Sequence, residues 1–154
     1  MTVFFADTSA LCKRYIIEAG SQWVRAQLDP TTGSVAVIVH ITAVELISAI
    51  SRRERAGSLS QADATLLRSS FRTDFASKYQ VVEVDNPLVN HAMRLAETHG
   101  LRGYDAIQLA ACLYANQSLV ARGQPGLTLL SADEELNVGA KAEGINVENP
   151  NLHP

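Results

Sequence analysis

Four acidic residues lie where an apolar run of the sequence gives way to the start of a helix. They are Asp7, Glu45, Asp105 and Asp133. Asp7 directly follows the apolar residues 3–6, and Asp133 follows the mostly apolar residues 127–132. Helices that follow parallel strands begin at the same edge of a sheet, and ligands of such folds bind beyond that edge. The spacing therefore predicts one site that contains all four carboxylates.

Glu45 and Asp105 fit the same pattern, because Glu45 comes shortly after the β-branched run 35–39 and Asp105 opens the apolar segment 106–112. Carboxylates that are brought together raise one another's pKa values and destabilise the fold unless a cation lies among them. No lysine or histidine is placed to supply that positive charge, and Mg²⁺ and Mn²⁺ prefer hard oxygen ligands. The cluster predicts one or two such ions and metal-assisted hydrolysis of a phosphate ester.

Each acid alone also has a structural interpretation. Asp7 would serve as a helix N-cap, which is worth about 1 kcal/mol, and Glu45 would complete a capping box with Thr42. Asp105 and Asp133 would be first-turn acids, which the helix dipole favours. Caps alone, however, could be Ser, Thr or Asn without mutual repulsion, so the four acids together favour a cation site.

Bulk properties predict a single α/β domain over residues 1–150 and a loose C-terminal tail over residues 151–154. The chain has 154 residues, of which 47% are hydrophobic, and a net charge of −3. This charge counts mildly against a non-specific nucleic-acid binder. No apolar run reaches the roughly 20 residues of a membrane helix, and the N-terminus does not resemble a secretory signal. Cys12 and Cys112 are expected to be reduced, and we predict a cytoplasmic protein without membrane contact.

Alternation of strand and helix patterns predicts βαβ units and a parallel sheet that is covered on both faces. The predicted strands are 3–6, 35–39, 81–84, 127–130 and 145–147. The predicted helices are 10–17, 21–28, 42–55, 60–77, 86–98, 104–115 and 132–142.

Three stretches of the sequence, together with the isolated Glu45, resemble the PIN-domain ribonucleases of the VapC-like toxin group. These stretches are Asp7-Thr8-Ser9-Ala10-Leu11-Cys12-Lys13-Arg14-Tyr15 with Glu18, residues 101–110 around Asp105, and residues 130–136 around Asp133. The similarity extends from about Val3 to Pro150.

The resemblance implies an α/β/α sandwich with a central parallel sheet of four to five strands. It implies that the four acids hold Mg²⁺ or Mn²⁺ for endonucleolytic cleavage of RNA, as in the toxin of a toxin–antitoxin pair. Homodimers and a small cognate antitoxin, whose tail blocks the site, are also implied. Thr8 or Ser9, with Ser131, would support the acids through hydrogen bonds, and Glu134 could share or replace the role of Asp133.

Two further features leave alternatives open. Lys13 and Arg14 lie one or two helical turns from Asp7 and could contact the substrate, or could simply form a solvated helix face. Ser131 and Glu134 also form a capping-box pattern of their own.

Two rival functions use similar acidic clusters. A phosphoacceptor receiver domain would have two adjacent acids after the first strand and a lysine at a late strand, whereas Thr8 and Ser9 follow Asp7 here. A haloacid-dehalogenase-type phosphatase would have a second acid where Ser9 stands. A PIN-like protein that binds RNA without cleaving it is a further alternative.

Overall fold

The computed structural model describes residues 1–154 and contains five strands and seven α-helices. Along the chain they are β1 (Val3–Ala6), α1 (Thr8–Tyr15), α2 (Ser21–Gln27), β2 (Val35–Val39), α3 (Thr42–Arg55), α4 (Gln61–Ser77), β3 (Tyr79–Val82), α5 (Asn86–His99), α6 (Gly103–Ala121), β4 (Thr128–Leu130), α7 (Glu134–Ala142) and β5 (Asn146–Glu148). Short 3₁₀ helices occupy Pro30–Thr32 and Pro150–Leu152. None of the helices combines the length and apolar character needed to span a membrane.

The five strands form one parallel sheet in the order β3-β2-β1-β4-β5. The chain builds outward from β1 to β3, returns across the sheet, and adds β4 on the other side of β1. The strand order therefore reverses between β1 and β4, which is where ligands of such sheets bind. Receiver-type folds have the order 2-1-3-4-5, so the sheet excludes the receiver alternative.

Alternating side chains of the strands build a core on each face of the sheet. Phe5 and Val37 pack with residues of α5, α6 and α7 in one core. Phe4 and Ile38 pack with residues of α1, α3 and α4 in the other. The predicted α/β/α sandwich with a central parallel sheet is confirmed.

Several element boundaries differ from the predicted ones. Helix α1 begins two residues earlier than predicted, because Asp7 caps it, and it ends two residues earlier, because Ile16 adopts an extended backbone conformation. Strand β3 covers 79–82 rather than 81–84, because residues 79–82 are the ones that pair with β2. Helix α6 runs six residues beyond the predicted end, because no helix-breaking residue intervenes before Gly123. The N-cap of α5 is Asp85, whose carboxylate accepts a hydrogen bond from the Leu88 backbone N–H.

The C-terminal segment, expected to be loose, packs against the domain. The His153 ring stacks on Trp23 with 4.1 Å between ring centroids, and its Nε2 lies 3.1 Å from Glu148 Oε2. Gly20 adopts φ 84°, and a Cβ there would come within 2.3 Å of the Pro150 carbonyl oxygen. Only glycine permits this close approach of the tail to the start of α2.

Candidate functional site

Asp7 lies at the end of β1 as the N-cap of α1, and its side chain is 4% exposed. Its Oδ2 accepts hydrogen bonds from the Ser9 hydroxyl at 2.6 Å and from the Ser9 backbone N–H at 3.2 Å. Burial raises the pKa of Asp7 from 3.8 to about 6, the bonds from Ser9 oppose this rise, and the charges of Glu45 and Asp105 add to it. Asp7 is thus both a helix cap and a buried, charge-crowded carboxylate.

Glu45 lies in the first turn of α3. Its Oε1 accepts from the Thr8 hydroxyl at 2.9 Å and from Gln108 Nε2 at 3.0 Å. The N-cap of this helix is Ile41, which makes no side-chain capping bond. The alternative capping box with Thr42 is therefore wrong, because the Glu45 carboxylate bonds to α1 and α6 instead of to its own helix terminus.

Asp105 lies in the first turn of α6 and is half-buried. Burial is the largest cause that raises its pKa from 3.8 to about 6, followed by the charges of Asp133 and Glu45, while Arg102 opposes the rise. The negative charges of Glu45 and Asp133 raise the pKa of Asp105, and those of Glu45 and Asp105 raise the pKa of Asp7. The fold therefore brings all four predicted acids to one edge of the sheet.

Asp133 is the N-cap of α7, and its Oδ1 accepts from the Leu136 backbone N–H at 3.0 Å. The alternative capping box between Ser131 and Glu134 is wrong, because Asp133 occupies the cap position. Glu134 is exposed and its Oε1 accepts from Asn149 Nδ2 at 2.7 Å. Its carboxylate is thus engaged by the C-terminal segment.

Serine hydroxyls join the two turns that carry Asp7 and Asp133. Besides donating to Asp7, Ser9 Oγ accepts from the Ala132 backbone N–H at 2.9 Å. Ser131 Oγ accepts from the Asp133 backbone N–H at 3.1 Å and lies 3.4 Å from Asp7 Oδ2. These bonds place the end of β1 against the end of β4, at the switch point of the sheet.

Lys13 and Arg14 bond to groups outside the four acids. Lys13 is buried and its Nζ donates to the Ala19 carbonyl at 2.8 Å and lies 3.4 Å from Glu18 Oε1. Arg14 donates to the Leu28 carbonyl at 3.1 Å. These contacts give both cations a structural role, and substrate contact by either of them stays a prediction.

Three residues at the site escaped the sequence analysis. Gln108 is 1% exposed, and the signal for it was an amide inside the apolar run 106–113, one turn after Asp105. Arg102 precedes α6 and Glu135 lies in the first turn of α7, and both influence the pKa of Asp105. Nothing in their local sequence distinguishes them from other exposed charges.

The donor set fits a hard divalent cation. Every candidate ligand is a carboxylate, and the pKa values of Asp7 and Asp105 are raised in part by neighbouring negative charges, which a cation would offset. No group of three or more His, Cys, Asp or Glu side chains converges closely enough to hold a metal ion by itself. Mg²⁺ usually binds through one or two carboxylates plus water, so such a site needs no preformed group of three.

The chain is similar to known ribonucleases in sequence and to a known toxin-antitoxin complex in fold. The chain is 30% identical over 154 residues to Ribonuclease VapC45 and to Ribonuclease VapC49, from two strains of Mycobacterium tuberculosis, with 100% of each chain covered. FitAcB from Neisseria gonorrhoeae has a similar fold, with a TM-score of 0.64, 17% identity, and 96% and 97% of the two chains covered.

A toxin-antitoxin complex from Klebsiella pneumoniae is also similar in fold, with a TM-score of 0.59 and 15% identity over 97% of this chain and 98% of that one. The profile of the PIN domain matches residues 4–140, which include all four acids. With the sheet order, the acidic edge and these similarities in agreement, the chain belongs to the PIN domain family.

Proposed function

We propose that this protein is an endoribonuclease toxin that hydrolyses RNA phosphodiester bonds with the help of Mg²⁺ or Mn²⁺. The observation that carries the proposal is that four carboxylates lie at the same edge of a PIN-domain sheet, near its switch point. The candidate ligands and catalytic residues are Asp7, Glu45, Asp105 and Asp133. The similarity to ribonucleases over the full chain length supports RNA as the substrate.

The residues of the chain fix their carboxylates in different ways. Ser9 holds Asp7 from the same turn, Thr8 and Gln108 hold Glu45, and the α7 terminus holds one oxygen of Asp133. A divalent cation bound among them would supply Lewis acidity, which generates a nucleophile from water at neutral pH and stabilises the leaving oxygen. Because magnesium uses few carboxylates per ion, four acids suffice for one or two ions.

An antitoxin is the second partner that we propose. A groove beside α1, α3 and α4 is lined mainly by apolar residues, among them Ile16, Ile17, Leu59, Leu66 and Leu67, and also by Arg53 and Asp63. Ile17 is 84% exposed and Leu66 is 65% exposed, and exposed apolar residues that cluster in a groove are typical of protein-binding surfaces. The similarity in fold to a toxin-antitoxin complex supports an antitoxin partner, and the choice of this groove rests on its exposed apolar residues. We also propose a homodimer, which follows from the VapC-like resemblance, and a cytoplasmic location, where Cys12 and Cys112 would stay reduced.

The test is an RNA cleavage assay with purified, metal-stripped protein. We expect cleavage with added Mg²⁺ or Mn²⁺, no cleavage in excess EDTA, and no cleavage by Asp105→Asn with either metal. Asp63→Asn is the matched control, because Asp63 is an acid in the first turn of a different helix, α4. Full cleavage in EDTA would contradict the metal mechanism, and full activity of Asp105→Asn would contradict the assigned site.

A further inference from the structure

Gln108 is a buried polar residue on the most apolar helix of the protein. It is 1% exposed, and all of its neighbours from Leu109 to Leu113 are buried apolar residues or Cys112. Its Oε1 is buried without a hydrogen-bond partner. A buried amide with an unpartnered oxygen is less favourable for folding than an apolar side chain of the same size. Packing alone therefore does not account for glutamine at this position.

The amide nitrogen of Gln108 contacts oxygens of two other helices. Its Nε2 lies 2.9 Å from Thr42 Oγ1, 3.0 Å from Glu45 Oε1 and 3.2 Å from Thr8 Oγ1. The orientation of the amide is fixed by chemistry, because an ionised carboxylate only accepts hydrogen bonds and must face the N–H₂ group. Gln108 and Thr8 thus both donate to the same oxygen of Glu45.

Gln108 also lies three residues after Asp105 on α6. Residues three apart share a face of a helix, so Gln108 projects from the same side of α6 as Asp105. The amide therefore links the Glu45 side chain on α3 to the helix that carries Asp105. This contact fixes the Glu45 carboxylate on α3 relative to the Asp105 carboxylate on α6.

We propose that Gln108 is a positioning residue that holds the Glu45 carboxylate in place to receive a divalent cation. The inference rests on the proposed function, since it concerns the same acidic site. Partners that orient the ligands of a metal typically change its affinity by 10–100-fold when they are removed. Gln108 would act through Glu45 and not by touching substrate.

The test uses Gln108→Met, which keeps the length of the side chain but cannot donate a hydrogen bond. Mn²⁺ binding is measured by titration with detection of free Mn²⁺ by electron paramagnetic resonance, in the full-length protein. We expect a dissociation constant at least about 10-fold higher than in the wild type. The same comparison is made in a Glu45→Gln background, where we expect Gln108→Met to change the constant less than about twofold, because the carboxylate that it positions is gone.

Asn116→Leu is the matched control. Asn116 is an amide farther along α6, and its Oδ1 accepts from the Leu127 backbone N–H at 3.0 Å. This variant should lower the melting temperature and leave Mn²⁺ affinity unchanged. If the wild type cleaved RNA and Gln108→Met bound Mn²⁺ as tightly as the wild type, the inference would be wrong and the proposed function would stand. An equal loss of Mn²⁺ affinity in the wild-type and Glu45→Gln backgrounds would also overturn the inference. If the wild type itself bound no Mn²⁺, both proposals would fail.

Discussion

Asp7 shows how one residue can serve the fold and oppose it at the same time. Its carboxylate caps α1 through Ser9, yet it is buried and lies near Glu45 and Asp105. An asparagine would cap about as well without the charge. The helix therefore does not need the charge of Asp7, which agrees with the role that we propose for this carboxylate in the acidic site.

The raised pKa of Asp7 predicts how stability depends on pH. The folded protein holds the Asp7 proton up to about pH 6, whereas the unfolded chain releases it near 3.8. The folded state therefore binds more protons in this interval, and the free energy of unfolding of metal-free protein falls as the pH rises from 4 to above 6. For Asp7 this corresponds to roughly 3 kcal/mol, and Asp105 changes in the same direction.

Asp7→Asn should remove the Asp7 contribution. We expect the metal-free variant to be more stable than the wild type at pH 7.5 and equally stable at pH 4, as measured by urea denaturation. Saturating Mn²⁺ should stabilise the wild type, by about 2.7 kcal/mol at a hundredfold excess over its dissociation constant, and the variant clearly less. Equal metal-induced stabilisation of the two proteins would mean that Asp7 is only a cap.

Among the elements, α7 separates capping from catalysis most clearly. Asp133 caps it through the Leu136 backbone N–H, and capping by an uncharged asparagine is equivalent. We expect Asp133→Ala to lower stability by about 1 kcal/mol and Asp133→Asn to leave it nearly unchanged. Both variants should lose RNA cleavage, because both lack the charge. Thermal denaturation and the cleavage assay check this, and an active Asp133→Asn would reduce the residue to a cap.

The sequence was sufficient to predict which helices and strands form and where the four acids lie along them, because the signals for these features are local. Apolar runs, caps and glycines marked most helices and strands, and four acids after apolar runs marked the edge of the sheet. Gln108 could not be found in this way, since its partners Thr8, Thr42 and Glu45 become neighbours only through tertiary packing. The packed tail was missed for the same reason, because Trp23 and His153 meet only in the folded chain.

At the scale of the whole molecule, the toxin hypothesis predicts an effect on growth. Expression of the wild type alone should arrest bacterial growth, and Asp105→Asn should relieve the arrest, because the proposed metal site would lose one of its four carboxylates. Growth curves at matched protein levels, verified by immunoblotting, provide the measurement. Equal growth of the two strains would remove the support for a toxin.

The apolar groove predicts a second effect at this scale. Leu66→Asp should abolish rescue by a co-expressed antitoxin while RNA cleavage persists, because the new charge would be buried in the complex without a partner. Val120→Asp is the control, since Val120 is 55% exposed at the far end of α6. If the antitoxin still neutralised Leu66→Asp fully, it would have to bind elsewhere.

The stacking of His153 on Trp23 gives the protein a natural optical reporter. The chain contains one tryptophan, and its indole is half-buried under the imidazole of His153, the next-to-last residue. Release of the tail would expose the indole to water, so its emission should shift to longer wavelength while the far-ultraviolet circular dichroism stays constant. His153→Ala should show the shifted emission from the outset. Fluorescence would then follow fraying of the chain end separately from unfolding of the sheet, without an added label.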